Sequence, residues 1–273
     1  MKFLSFDIYH GRYAEFLETI KTPEKKTLVF TPNPEILLRA SKDREFLDIL
    51  KKADYLTPDA NGLYTASLIQ EGSGYISALF QTFVRQRRLR EKYGERISGS
   101  TLTHDLIEYA TREKKKILMI DNYRIKTAKN DFEKRKMEIQ WKFHELFREK
   151  FPDLDIEVVF DGEKTPEELA KLIEKENISY VFSCIGMKSQ EARLIEIFDA
   201  LPEATKVVWL WVGSSFDYLL GLQKRAPLFL QSLWLEWLYR LALDPRARWG
   251  RITDAIWRFP MMIQAEKKRQ NLD

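Results

Sequence analysis

The sequence predicts an α/β fold, a mostly parallel sheet with crossover helices followed by a helical, basic C-terminal appendage. Short apolar runs alternate with helix-spaced patterns, as repeated strand–helix units require. Clear helix-start signals stand between the runs. The charge is also lopsided. The 273 residues carry a formal net charge of +4, yet the last 51, from Gln223 onward, hold ten Lys/Arg against five Asp/Glu, so the first 222 net −1. An apolar content of 44% excludes a disordered chain.

Taken in order, Leu28–Thr31, Tyr55–Thr57, Ile117–Ile120, Ile156–Phe160, Tyr180–Cys184 and Val207–Val212 read as strands. Asn33 before Pro34 is an N-cap with proline at the first helical position. Thr165-Pro166-Glu167-Glu168 is a capping box opening a helix to about Glu176. Two segments break the rhythm. In Gly74–Lys92, Ile76, Leu79, Phe80, Phe83 and Val84 recur at helical spacing, and Arg85, Arg87, Arg88, Arg90 and Lys92 follow at once. In Leu228–Leu243, 12 of 16 residues are apolar, and Arg246, Arg248 and Arg251 follow with Trp249 and Trp257 among them. Each segment alone reads equally as a core helix with a solvated basic end or as an interfacial element. Together they favour a membrane surface. The expected division is a core over 1–219 and a membrane-associating appendage over 220–273.

Several classes fall away. One cysteine, Cys184, forms no intrachain disulfide. His10, His104 and His144 lie far apart with no partner at zinc-ligand spacing. No apolar run approaches the ~18 residues of a membrane span, and Asp7 comes too early for a signal peptide. The expectation is a cytoplasmic protein, peripherally bound at the inner face of the cell membrane. The aromatics of the tail could stack bases, but no recognition motif accompanies them, so no nucleic-acid partner is expected.

In a parallel α/β sheet, ligands bind beyond the carboxyl ends of the strands. Thr31 and Asn33 close the first strong strand and Asp59 the next, within Pro58-Asp59-Ala60-Asn61-Gly62. Gly186, Ser189, Gln190 and Glu191 follow the strand ending at Cys184, and Gly213, Ser214 and Ser215 the one ending at Val212. Individually these are cap or turn residues; their shared edge makes them a candidate site. Asp153-Leu154-Asp155 imitates a metal-binding Asp-x-Asp, but it precedes its strand and so belongs to the opposite edge. No cofactor and no metal ion are expected, and a phosphate-bearing substrate would need arginine or backbone N–H groups.

The motifs resemble those of the WecG/TagA/CpsF bacterial glycosyltransferases. The pieces, in order, are Thr31-Pro32-Asn33-Pro34-Glu35; Ala53-Asp54 leading into Pro58-Asp59-Ala60-Asn61-Gly62; Glu95-Arg96-Ile97-Ser98-Gly99-Ser100; Gly186-Met187-Lys188-Ser189-Gln190-Glu191; Val212-Gly213-Ser214-Ser215-Phe216-Asp217; and Arg225-Ala226-Pro227 with Leu235–Leu241 and Asp244-Pro245-Arg246. The resemblance implies a Rossmann-like core and a C-terminal appendage that closes the site. The implied reaction is inverting transfer of an N-acetylmannosamine-type sugar from a UDP donor to undecaprenyl-diphosphate-linked N-acetylglucosamine, for teichoic acid or other surface polysaccharide. It implies Asp59 as base, Thr31, Asn33, Gln190 and Arg96 near the sugar, and Arg240, Arg246 and Arg251 near the diphosphate. Gly186, Glu191 and Gly213 join the substrate-binding set. The chain departs from the pattern at Ala60, where the family has glycine. It departs again at Asp121-Asn122-Tyr123-Arg124, where a Gly-Gly loop is usual. The second departure supports an alternative, a non-catalytic module that binds a nucleotide sugar or lipid diphosphate and tethers a biosynthetic complex. The donor sugar, the polymer and the oligomeric state are not readable from sequence.

Overall fold

A computed structural model of the chain describes residues 1–3, 6–121, 145–185, 191–213, 215–221, 226–227, 230 and 236–270. The chain divides into two compact units. One comprises Met1–Phe16, Phe30–Ser98 and Lys224–Asp273, the other Leu17–Val29 and Gly99–Gln223.

A short antiparallel pair, β1 (Lys2–Phe3) and β2 (Phe6–Asp7), opens the chain, and α1 (Tyr13–Lys21) follows. Six further strands form one sheet: β3 (Thr27–Phe30), β4 (Tyr55–Leu56), β5 (Lys116–Asp121), β6 (Ile156–Phe160), β7 (Ile178–Ser183) and β8 (Val208–Trp211), in the order β4-β3-β8-β7-β5-β6. The pairings of β5 with β6 and β7, and of β7 with β8, are parallel. All six predicted strands are present with ends displaced by at most two residues. Every residue of β3 and β8 is buried, the continuous apolar signature of a parallel strand covered on both faces.

In the second unit, α7 (Gly99–Arg112), α8 (Pro166–Lys175), α9 (Glu191–Ala200) and α10 (Ser215–Leu219) accompany the strands. The capping box of α8 forms as predicted. Thr165 Oγ1 accepts from the Glu168 N–H at 3.2 Å, and Glu168 Oε2 accepts from the Thr165 N–H at 2.8 Å. Tyr180, fully buried, donates its hydroxyl to the Lys21 carbonyl at 2.7 Å, which leaves no orphaned polar atom on that core tyrosine.

The first unit carries α2 (Pro34–Ala40), α3 (Arg44–Lys51), α4 (Gly62–Gln70), α5 (Tyr75–Val84) and α6 (Gln86–Tyr93). The predicted single pattern over Gly74–Lys92 is two helices, because Arg85 leaves helical geometry at φ −113° and ψ 32°. The C-terminal part contributes α11 (Glu236–Leu243), α12 (Pro245–Thr253), a wide π-helical turn (Asp254–Arg258) and α13 (Phe259–Gln270). α13 packs on α4 and α2, and the π turn packs on α2. Phe259 and Ile263 are fully buried, and the Phe259 ring meets Phe3 edge-on at 5.9 Å. α13 thus contributes core residues to its unit, whereas no described residue of α11, α12 or the π turn is buried. No helix among the described residues is long and apolar enough to cross a membrane.

Two substitutions test this packing. Thr165→Ala removes the reciprocal cap and should cost about 1 kcal/mol in urea unfolding. A Cβ at Gly62 would lie 2.9 Å from Pro34 Cγ, so Gly62→Ala should cost about 1–3 kcal/mol by overpacking, read from the same transition.

Candidate active site

The site begins where β3 ends. Asn33 caps α2, its Oδ1 accepting from the Ile36 N–H at 3.0 Å, and this fixes the turn Thr31-Pro32-Asn33. The loop after β4 is tied to that turn by its main chain. The Thr57 N–H donates to the Phe30 carbonyl at 2.9 Å and the Asp59 N–H to the Pro32 carbonyl at 3.3 Å. On its other side, Arg96 Nε donates to the Asp59 carbonyl at 3.0 Å, and the Ile97 N–H donates to the Pro58 carbonyl at 2.9 Å. Both main-chain polar groups of Asp59 are thus engaged, and its half-buried side chain projects from a fixed backbone.

Arg96 owes its own position to the segment before it. Tyr64 on α4 donates its hydroxyl to the Gly94 carbonyl at 2.8 Å. Burial pushes that phenol up to about 12, so it stays a donor across the physiological range. The Glu95 N–H donates to the Gly11 carbonyl, and Glu95 Oε2 accepts from the Tyr13 N–H at 2.8 Å. Gly94 must be glycine here: its φ is +87°, and a Cβ would lie 2.7 Å from the Gly11 nitrogen.

Charge then enters from the C-terminal helices. Glu236, at the start of α11 with 13% of its side chain exposed, lies 3.8 Å from an Arg96 Nη and pairs with Arg240 one turn along. A single carboxylate therefore bridges two guanidinium groups beside the Asp59 loop. Arg251 on α12 is held by Glu35 of α2, its Nε lying 3.0 and 2.8 Å from the two carboxylate oxygens. Arg246 is exposed at the start of α12.

Of the residues expected at the site, Thr31, Asn33, Asp59, Arg96, Arg240, Arg246 and Arg251 all fall in the first unit. Glu191 opens α9 and Gly213 follows β8, both in the second unit. Gly186 and Gln190 lie outside the described residues, as do Asn122, Tyr123 and Arg124. Ala60 is not among the residues of positive φ, so alanine replaces the family's glycine there without backbone strain. Asp155 sits at the amino-terminal end of β6, with Lys116 4.0 Å from its carboxylate.

Three further residues stand in the motifs quoted above but were given no role at the site. Glu236 and Glu35 are pairing carboxylates on helices. Asn61, two residues after Asp59, keeps a buried Oδ1 that accepts no hydrogen bond. The described His, Cys and acidic side chains include one cluster with ligand atoms within 4.8 Å of one another, His104, Asp105 and Glu108 on α7. Its contacts, His104 Nδ1 to Asp105 at 3.2 Å and Nε2 to Glu108 at 3.6 Å, are ordinary pairings along an exposed helix.

A site with one clamped aspartate and several arginines is suited to deprotonating a hydroxyl beside an anionic leaving group. An N-acetylglucosaminyldiphosphoundecaprenol N-acetyl-beta-D-mannosaminyltransferase of Bacillus subtilis (strain 168) is 27% identical over 260 residues, covering 94% of this chain and 87% of that protein. The like-named protein of Bacillus spizizenii is 27% identical over 242 residues (88% and 80%), and that of Staphylococcus aureus (strain NCTC 8325 / PS 47) is 25% identical over 256 residues (91% and 85%). The model of the glycosyl transferase WecG/TagA/CpsF family matches residues 1–76 and 82–272, and the chain belongs to that family.

Proposed function

We propose that this glycosyltransferase moves an N-acetylmannosamine-type sugar from a UDP donor to undecaprenyl-diphosphate-linked N-acetylglucosamine, with inversion and with Asp59 as general base. The observation that carries this reading is the clamp on Asp59. Its N–H is held by Pro32 and its carbonyl by Arg96, and that arginine shares Glu236 with Arg240. The names of the relatives supply the substrate class.

In this mechanism the acceptor hydroxyl oxygen attacks the anomeric carbon as Asp59 takes its proton. The bond from that carbon to the UDP oxygen breaks, and its electron pair leaves on the diphosphate. Arg96 and Arg240, already oriented by Glu236, meet the growing negative charge. Arg246 and Arg251 stand on the same C-terminal helices and extend the cationic approach. Thr31 and Asn33, on the turn that holds the Asp59 N–H, take the sugar-binding places that the family resemblance implies. The family resemblance implies a substrate-binding role for Gly186, Gln190, Glu191 and Gly213 as well. The lipid-linked acceptor places the reaction at an anionic membrane surface, where each Lys/Arg near the leaflet contributes about 1 kcal/mol and the basic C-terminal stretch supplies several.

Asp59→Asn should lower transfer about 10²–10⁴-fold in a UDP-release assay with a short-chain lipid-diphosphate acceptor, while donor affinity in a binding titration stays close to wild type. Transfer at the wild-type rate would remove Asp59 from the base role. Glu236→Gln should raise the donor KM and reduce kcat/KM about tenfold or more, the cost of loosening one charge-assisted contact. A fall in kcat with donor KM unchanged would assign Glu236 some other task. Because Phe259 and Ile263 are core residues, such point variants are cleaner tests than truncation of the C-terminal part.

A further inference from the structure

Helix α5 is built inside out. It packs on α4 through a side on which Ala78 and Thr82 are buried. There the Thr82 hydroxyl donates to the Ala78 carbonyl at 2.9 Å and lies 2.9 Å from the Thr65 hydroxyl. The bulky apolar residues point the other way. Ile76 is 80% exposed, Phe80 66% and Val84 57%, with Phe83 exposed beside them. Their i, i+4, i+7, i+8 spacing gathers them on one helix face. A helix facing water would carry its small and hydroxyl groups outward and its phenylalanines inward, so this surface is fitted to something apolar.

The surroundings say what. Arg85 to Tyr93, which includes α6, holds five cations against one carboxylate. Arg87 pairs with Glu91 and Lys92 with Glu71, both at the surface, and Arg85, Arg88 and Arg90 are exposed as well. At the other end of α5, the Tyr75 hydroxyl donates to the Ile256 carbonyl at 2.9 Å, and the Tyr75 ring meets Trp257 edge-on at 5.3 Å. Trp257 is itself 54% exposed, as is Met261 one turn further. Apolar side chains flanked by arginines and a tryptophan match the depth profile of an anionic bilayer, with hydrocarbon inside, aromatic rings at the headgroups and cations at the phosphates. A second copy of this chain would complement the apolar residues but bring like charges together. The family match is interrupted at residues 77–81, inside α5, a gap that holds Phe80, whereas Ile76, Phe83 and Val84 lie within the match.

We propose that the outer face of α5, with Trp257 beside it and the cations of α6 around it, enters the interfacial zone of an anionic lipid bilayer. This deepens the reading of a lipid-linked acceptor and rests on it only for its biological purpose.

The full-length chain is sedimented with phosphatidylcholine vesicles with and without phosphatidylglycerol. Wild type should partition onto the anionic vesicles, and Ile76→Ser/Phe80→Ser should reduce that partition at least about tenfold, with an unchanged circular dichroism spectrum. Cys184 is buried, so an environment-sensitive dye on Phe80→Cys reports that position. Its emission should shift to the blue with anionic vesicles, and a dye on Lys171→Cys of α8 should not respond. An unshifted dye at position 80 on protein that sediments with vesicles would overturn the proposal. So would a lipid-free, concentration-dependent shift accompanied by dimer mass, which would make the face a contact between copies. Neither measurement needs sugar transfer, so an inactive but vesicle-bound wild type would sink the proposed function and leave this surface standing. If both hold, Ile76→Ser/Phe80→Ser retains turnover on a water-soluble acceptor and loses it on an acceptor embedded in vesicles.

Discussion

The main chain of Asp59 is held at both of its polar groups, and the chemistry of the site depends on that restraint. A hydrogen bond to Pro32 alone would leave the loop free to pivot; the Arg96 guanidinium on the carbonyl removes that freedom. A carboxylate that must meet one hydroxyl within hydrogen-bond reach gains more from a fixed backbone than from any further contact, because small misplacements are costly in rate. Arg96 is in turn fixed by its neighbours. The Tyr64 hydroxyl, the close approach of Gly94 to Gly11 and the reach of Glu95 to the Tyr13 N–H hold the residues before it.

Glu236 links this restraint to the C-terminal helices. The arginines it holds are poised for an anion, yet without ligand they would repel each other and the site would resist closing. One shared carboxylate offsets that repulsion and leaves the guanidinium groups oriented. The Glu35–Arg251 pair secures α12 to α2 in the same way, although an exposed arginine contributes little to stability. The same chain segment therefore supplies both core residues, Phe259 and Ile263, and cations to the catalytic loop's surroundings.

Much of this was legible in sequence where the physics is local. Asn33-Pro34 and Thr165–Glu168 announce helix starts because a cap joins residues three apart, and β3, β5 and β8 announce themselves as unbroken apolar runs. Asp59 and Arg96 were visible through their motifs. Glu236, Glu35 and Asn61 stand in the same motifs, but nothing in the motifs tells what they do. The Glu35–Arg251 contact spans 216 residues of chain, and such pairings leave no periodicity to read. Nor did the pattern over Gly74–Lys92 disclose the break at Arg85. Leu89 and Tyr93 are buried on α6 while Arg90, Glu91 and Lys92 between them are exposed, so the apolar spacing runs on through the joint.

The π-helical turn between α12 and α13 has a bearing on how the C-terminal rod reaches its two tasks. Such a turn accommodates one additional residue, and a residue in an α-helix corresponds to about 100° of rotation. That phase slip sets the register of Phe259, which plugs the interior, relative to Arg251, which Glu35 of α2 holds before the turn. Without it, the side chains beyond the turn would be wound out of step with those before it. A continuous helix could then keep Arg251 on Glu35 or its phenylalanine in the hydrophobic interior, but not both.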